Sequence, residues 1–153
     1  MSACATSSPH ASAVSRLLVA LQFGLIAAMI LRTDPSRLGH AFAALLVAGL
    51  AIGAWAISAN RPGNFNIRPE PKDGAILVTA GPYRWIRHPM YLAVLVTMGA
   101  FVVAGDALQA VLWLLLAVVL AAKAVREERG LVLVHPGYAA YRERTRAILP
   151  FVY

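Results

Sequence analysis

The stretch MYLAVLVTMGAFVVAGDALQAVLWLLLAVVLAA, Met90–Ala122, contains one charged residue, Asp106. Two apolar runs, Met90–Ala104 and Leu108–Ala124, lie on either side of Gly105 and Asp106. Gly can end a helix and Asp can cap the next one, so the stretch predicts an antiparallel helical hairpin. Neither run has the polar face that a soluble hairpin would show. Each is roughly 24 Å long at 1.5 Å per residue, which is short for a bilayer span.

Two more apolar segments precede this hairpin, at about Ala13–Leu31 and at Leu38–Ser58. Arg32, Thr33, Asp34 and Pro35 follow the first segment where a signal peptide would have a cleavage site, so we predict a retained helix. The chain is 59% hydrophobic and only 14% charged, with a mean hydropathy of +0.66. We therefore predict an all-α, polytopic integral membrane protein with about four transmembrane helices.

Small residues fill the second span, and Gly49 and Gly53 form a small-xxx-small pattern within it. Such a pattern lets another helix approach closely. The partner helix could lie in this chain or in a second copy. The second alternative predicts a homo-oligomer through Gly49 and Gly53.

The basic residues are distributed unevenly among the loops. With alternating spans, only Arg32 and Arg37 of the 14 basic residues fall on one side of the membrane. The positive-inside rule then places both termini, the central loop and the tail in the cytoplasm. In a bacterium, this would be the inner (plasma) membrane.

Composition also limits the classes of partner. The net charge is +7, but no basic face interleaved with aromatic residues lies outside the membrane flanks, so no nucleic-acid partner is predicted. Cys4 is the single cysteine, and no Cys/His cluster has the spacing of metal ligands. The expected partners are membrane lipid and a lipophilic small molecule, without a metal.

The segment GPYRWIRHPMY, Gly81–Tyr91, places polar and rigid residues directly before the third span. Pro89 suits the first turn of a helix, which makes His88 the expected N-cap. The free N–H groups of a helix start favour an anion. Membrane anchoring explains Arg84 and Trp85, but it explains the sequence from Arg87 to Tyr91 less well. One helical turn there would direct several side chains towards a common pocket.

Two adjacent carboxylates, Glu127 and Glu128, follow the fourth span. Lys123 could pair with Glu127 across one helical turn, and Arg129 could pair with Glu128. Alternatively, one glutamate faces the helix bundle. Burial of its charge would then require a cationic partner from the protein or from a ligand.

The tail adds a third polar segment. Tyr138 and Tyr141 are predicted to share a helix face, with Arg144 three residues further along. A basic amphipathic helix lying in the lipid headgroups would show the same pattern. The two interpretations are compatible.

Taken in order, LVTAGPYRWIRHPMY (residues 77–91), REE (126–128) and HPGYAAYRERTRAILP (135–150) resemble the isoprenylcysteine carboxyl methyltransferase family and its phospholipid methyltransferase relatives. These are small membrane methyltransferases that use S-adenosylmethionine (SAM). The resemblance begins near Asn60 and implies one domain, 1–153. Its first two spans would occupy 13–58, and its cofactor-binding catalytic core would occupy 60–153, with the cofactor pocket on the cytoplasmic side.

The resemblance also implies roles for individual residues. The implied cofactor contacts are Leu77, Val78, Thr79, Gly81, Tyr83, His88, Pro89, Tyr91, Glu127 and Glu128. The implied contacts to the acceptor are Tyr138, Tyr141 and Arg144, and the implied catalytic residues are Arg87, Glu128 and Arg144. This chain has Val-His-Pro-Gly before the tyrosine pair where larger members have Phe-Gly, so His135 and Gly137 are given no role.

The expected function is SAM-dependent methyl transfer to a lipophilic acceptor, such as the carboxylate of an isoprenylcysteine-like lipid. Arg144 would hold a carboxylate acceptor, whereas a glutamate would deprotonate an amine acceptor. One alternative is an NADPH-dependent membrane reductase of the sterol type, with Arg142, Arg144 and Arg146 binding the 2′-phosphate. Another is a non-catalytic adaptor whose basic tail binds anionic lipid.

Overall fold

The computed structural model describes residues 9–60 and 76–149, with side chains from residue 13 onward. Within these ranges the chain forms helices joined by turns, without a β-strand, which confirms the all-α fold class. The helices are α1 (Pro9–Arg32), α2 (His40–Ala59), α3 (Pro89–Val103), α4 (Ala107–Val134) and α5 (Tyr138–Arg144). Two 3₁₀ turns, Pro35–Arg37 and Gly81–Arg84, precede α2 and α3.

Three segments within these helices are long and apolar enough to cross a membrane: Ala13–Arg32, His40–Ala59 and Ala107–Val134. The chain thus has the helices of an integral membrane protein. Helix α3 is apolar but has only 15 residues, or about 22 Å of helix against a hydrocarbon core of about 30 Å. A fourth complete span and the orientation of the termini stay predictions.

The α3–α4 hairpin forms as predicted, and its turn is capped. The carboxylate of Asp106 accepts a hydrogen bond from the backbone N–H of Gln109, at 3.1 Å. Helix α4 is longer than the predicted span, because no helix-breaking residue interrupts it before His135 and Pro136. Glu127 and Glu128 therefore lie within α4, after the predicted apolar run 108–124 and before the end of the helix.

Helices α2 and α3 pack closely at the small-residue pattern. A Cβ added to Gly49 would overlap Thr97, whose backbone nitrogen would lie only 2.6 Å away. A Cβ on Gly53 would lie 3.6 Å from Ala93. The pattern thus has its partner within the same chain. Helix α3 occupies the surface at Gly49, and a homo-oligomer of the chain stays a prediction.

Helix α1 packs along α4 through a row of buried residues. Ser15, Gln22 and Met29 recur every seven residues on α1, so they share one face of the helix. Met29 belongs to a hydrophobic core with residues of α3 and α4: Leu95, Met98, Leu116 and Leu120. The polar members of the row are hydrogen-bonded: Gln22 accepts from Lys123, and Ser15 accepts from Arg126 at 3.4 Å.

The segment before α3 pairs with the segment after α5. The backbone N–H of Arg87 donates to the carbonyl of Arg146 at 2.8 Å, and that of His88 donates to Ala147 at 2.9 Å. In return, Arg146 donates to the carbonyl of Trp85 at 3.0 Å, which forms a short parallel pairing. This pairing brings the tail to the start of α3.

Candidate functional site

The polar residues that follow the second span in the sequence converge where α3 begins. The backbone that leads into α3 turns at Gly81, which has a φ of +58° and packs against Ala59 at the end of α2. A Cβ on Gly81 would lie 2.6 Å from that of Ala59, so glycine is needed for both its backbone angle and its packing. His88 then forms the N-cap of α3 and Pro89 its first residue, as predicted.

The imidazole of His88 lies between the two glutamates of α4. Its Nδ1 is 3.6 Å from Glu127 Oε2, and its Nε2 is 3.1 Å from Glu128 Oε1. A carboxylate only accepts hydrogen bonds, so the shorter contact requires a hydrogen on Nε2. The two adjacent carboxylates thus both face the site, and His88 separates them.

Glu128 is the most completely paired of these charges. Its Oε1 accepts from Arg87 Nε at 2.7 Å, and its Oε2 lies 3.4 Å from Arg142 Nε. Arg87 also donates to the backbone carbonyls of Thr145, at 2.5 Å, and Arg142, at 3.1 Å. The inward-facing glutamate therefore has the cationic partner that burial requires. Arg87 and Glu128 together join α3, α4 and the tail.

Glu127 is more open than Glu128. Its side chain is 33% exposed, and its Oε2 accepts from the Tyr91 hydroxyl at 3.0 Å. The Tyr91 ring stacks on His88, with centroids 5.2 Å apart and planes 7° from parallel. Lys123 donates to Gln22 instead, so the ion pair between Lys123 and Glu127 is not formed in these described helices. The carboxylate of Glu127 can therefore accept a further hydrogen bond from a ligand.

The two tyrosines of α5 are both buried, but they differ in their hydrogen bonds. Tyr141 donates to the carbonyl of Tyr83 at 2.6 Å. The hydroxyl of Tyr138, a residue only 1% exposed, has no hydrogen-bond partner within the described part of the chain. Burial raises the pKa of both hydroxyls, and the negative charge of Glu128 raises that of Tyr138 further. Tyr138 is therefore a neutral, unpaired hydroxyl beside the carboxylates.

Arg144 is placed differently from its prediction. Its side chain is exposed, and its Nε donates to the carbonyl of Ala140 in its own helix, at 3.2 Å. The guanidinium of α5 that reaches Glu128 belongs to Arg142. At about 100° per residue, Arg142 lies about 40° from Tyr138 around the helix, whereas Arg144 lies about 120° from Tyr138 and about 60° from Tyr141. Arg144 therefore makes no contact with Glu128 among the described residues, and its predicted contact with the acceptor stays a prediction.

The segment before α3 contributes less directly to the site. Leu77 and Val78 are half-buried and Thr79 is exposed, and within the described ranges no side-chain hydrogen bond joins them to the glutamates. Tyr83 is half-buried and shares a side-chain hydrogen bond with Asn60. Burial raises the pKa of Tyr83, and the charge of Glu127 adds to this effect. The cofactor roles of Leu77, Val78, Thr79 and Gly81 stay predictions.

Two residues of the site, Lys123 and Arg142, were given no part in a methyltransferase site by the sequence. It suggested only an ion pair with Glu127 for the first and phosphate binding in a reductase for the second. Lys123 is fully buried, with its Nζ 5.4 Å from the centroid of the Tyr91 ring. Each lies one helical turn from a residue with a predicted role, Glu127 or Tyr138, which is the signal that could identify it. Among residues 9–60 and 76–149, no cluster of His, Cys, Asp and Glu has the arrangement of a metal site.

Comparison with known proteins identifies the architecture. A family model described as the isoprenylcysteine carboxyl methyltransferase (ICMT) family matches residues 41–135. The match begins within α2, earlier than the resemblance starting near Asn60, and it ends at the last residue before Pro136 and α5. No curated protein matches the chain. With well over half of its length covered, from α2 through the glutamates of α4, the chain belongs to the isoprenylcysteine carboxyl methyltransferase family of membrane enzymes.

Proposed function

We propose that this methyltransferase moves the methyl group of SAM onto the carboxylate of a lipophilic acceptor. The observation that carries the proposal is the convergence of Glu127, His88 and the unpaired Tyr138 hydroxyl at the start of α3. Family membership supplies the reaction class. The residues support a site for a polar, charged molecule beside an apolar helix bundle.

The donors and acceptors present fit the groups of SAM. The α-ammonium group needs an acceptor, and Glu127 offers a partly exposed carboxylate that ion pairs do not saturate. The orphaned hydroxyl of Tyr138 can donate to a ribose or carboxylate oxygen, and a buried hydroxyl gains from such a partner. Glu128 is saturated by Arg87, His88 and Arg142, so we assign it to positioning His88 and the tail.

The proposed step needs alignment more than acid–base chemistry. When bound, SAM supplies a methyl on a sulfonium sulfur; a carboxylate oxygen gains the methyl, and the sulfur keeps the bonding electrons as a neutral thioether. A carboxylate has no proton to lose, so the protein must orient it and exclude water. Burial of His88 and Tyr138 at the end of the bundle suits that requirement.

We place this site on the cytoplasmic face of a single domain, 1–153. The distribution of basic residues supports that orientation, because Arg87, Arg126 and Arg142 all lie at the site end of the bundle. SAM would enter from the cytoplasm and the acceptor from the bilayer. In a bacterium the membrane would be the inner one.

The two alternative functions fit less well. A sterol-type reductase would require the tail arginines to bind a 2′-phosphate, but Arg142 contacts Glu128 and Arg144 contacts its own helix. A non-catalytic adaptor is disfavoured because the family is one of methyltransferases. Neither has an observation in its favour.

Calorimetric titration of the detergent-purified protein with S-adenosylhomocysteine, and separately with NADPH, tests the proposal. We expect saturable micromolar binding of the first compound only. Glu127→Gln should weaken it by about tenfold, because a charge-assisted hydrogen bond to the ammonium group is lost. Glu143→Gln, an exposed glutamate of α5, is the matched control and should leave affinity unchanged. NADPH binding alone would refute the proposal.

A further inference from the structure

Lys123 is a buried cation without a role in the methyl transfer proposed above. It is 2% exposed and lies in the interface between α1 and α4. Its Nζ donates to the amide oxygen of Gln22, and it lies 5.4 Å from the centroid of the Tyr91 ring. Both contacts are to neutral groups. An ammonium held this way in an apolar bundle is costly, and an anion beside it would lower that cost.

The other cations around the site already have partners. Arg87 and Arg142 contact Glu128, and Arg144 is exposed and bonded to Ala140. In the part of the chain that the structure describes, no carboxylate oxygen lies within 4 Å of the Lys123 ammonium, and the charge of Glu127, one helical turn further on, acts on it only from a longer distance. An ammonium has three hydrogens to donate, and Gln22 takes one of them. Two donors are left for a ligand oxygen.

The position of Lys123 along α4 places it nearer to the expected lipid acceptor than to the expected entry of SAM. It precedes Glu127 on α4 by four residues, a rise of about 6 Å, towards the middle of the helix. If SAM enters at the Glu127 end, Lys123 lies on the membrane side of it, across the Tyr91 ring. A lipid acceptor with its tail in the bilayer would present its polar head from that side.

We propose that Lys123 binds the carboxylate of the lipophilic acceptor, the role that sequence analysis assigned to Arg144. This inference rests on the proposed function. The ammonium would hold the acceptor oxygen in place and keep it ionised, so that it can attack without a base. The site would thus select acids over uncharged esters or alcohols with the same tail.

A pair of ligands that differ only in charge tests this role. N-Acetyl-S-farnesylcysteine carries the carboxylate and an isoprenoid tail, and its methyl ester carries the tail alone. We would titrate each into the detergent-purified protein with S-adenosylhomocysteine present. The wild-type protein should bind the acid more tightly than the ester by about tenfold or more. Lys123→Met should abolish that preference while changing the affinity for S-adenosylhomocysteine less than about twofold.

Two further variants make the assignment specific. Lys123→Arg keeps the charge and should restore most of the preference for the acid. Gln22→Met removes the neutral partner but keeps the ammonium, so the preference should survive. If Lys123→Met does not fold, these two variants still test the proposal, because both keep a positive charge at position 123. Loss of the acid preference in both of them would contradict a role for that charge.

Several outcomes would overturn the inference. If the acid preference persists in Lys123→Met, or disappears in Arg144→Met, then Arg144 and not Lys123 binds the acceptor carboxylate. A loss of affinity for S-adenosylhomocysteine in Lys123→Met would assign Lys123 to the cofactor. The absence of an acid preference in the wild-type protein would also refute it. Failure of S-adenosylhomocysteine to bind would refute the SAM-dependent function separately, since the acid–ester comparison can be made without it.

Discussion

Glu128 Oε1 lies 2.7 Å from Arg87 Nε and 3.1 Å from His88 Nε2, so one carboxylate oxygen joins α4 to the two residues that precede α3. The same Arg87 donates to carbonyls of the tail. This arrangement makes Glu128 primarily a structural residue. Its replacement should therefore affect folding at least as much as cofactor binding.

Glu128→Gln should lower the free energy of unfolding by about 3 kcal/mol, because it leaves the guanidinium of Arg87 buried without its counter-charge. Thermal unfolding in detergent would measure the change. The double variant Glu128→Gln/Arg87→Gln should be less destabilised than the sum of the single variants. Strictly additive losses would mean that the pair contributes no coupling. Glu143→Gln should leave the melting temperature unchanged.

Tyr138→Phe should have opposite effects on stability and on ligand binding. Its hydroxyl is buried and unpaired, so removing it should leave the unfolding free energy unchanged or raise it by up to about 1 kcal/mol. Affinity for S-adenosylhomocysteine should fall by about five- to tenfold if the hydroxyl donates to the ligand.

Tyr141→Phe is the matched comparison for that variant. Its hydroxyl is bonded to the carbonyl of Tyr83, so its loss should destabilise the protein by about 1 kcal/mol. Equal destabilisation in both variants would show that Tyr138 has a partner in the folded protein and would remove it from the ligand site.

Gly49→Ala should destabilise the protein by about 1–3 kcal/mol, because the added methyl overlaps Thr97 of α3. Gly24→Ala, on the exposed side of α1, has open space around it and should leave the melting temperature unchanged or raise it. Differential scanning fluorimetry of the two variants tests the packing. A harmless Gly49→Ala would mean that α2 and α3 are further apart.

The cap of α4 should make stability depend on acid pH. The backbone N–H of Gln109 holds the pKa of the Asp106 carboxyl below its ordinary value, with Arg32 adding to the effect. A lowered folded-state pKa contributes stability above the unfolded value of about 3.9, and this contribution is lost as the pH falls through the folded pKa. The melting temperature of wild type should therefore exceed that of Asp106→Asn at neutral pH.

The difference between those two proteins should shrink as the pH falls below about 4. Asparagine also caps helices well, so this comparison isolates the charge of Asp106. A difference that is constant with pH would show that the charge of Asp106 does not contribute.

The elements that sequence could predict depend on local chemistry. Asp106 and His88 occupy the N-cap positions of their helices as predicted, because a helix start is set by residues within one turn. The hairpin follows from Gly105 and Asp106. The two glutamates and the tyrosines were also predicted at the site. That these residues come together in space could not be read from any one motif. It was expected because the order of the three motifs along the chain resembles that of the family.

The elements that sequence could not predict depend on rotation and on distant partners. Arg142 reaches the site in place of Arg144 because two residues around a helix change the direction by about 200°. Lys123 pairs with Gln22 across two helices that are far apart in the chain, and no local pattern indicates that contact. The end of α4 was missed because apolar composition marks the membrane segment, whereas the helix continues into polar sequence.

The parallel pairing of Arg87 and His88 with Arg146 and Ala147 also sets an order of events during synthesis. Helices α1 to α3 precede the tail by more than 40 residues, so they can enter the membrane before residues 146 and 147 leave the ribosome. Until those residues emerge, two backbone N–H groups before α3 and the guanidinium of Arg87 lack their tail acceptors. The first three helices would therefore be in the membrane before the start of α3 gains its hydrogen bonds to residues 146 and 147.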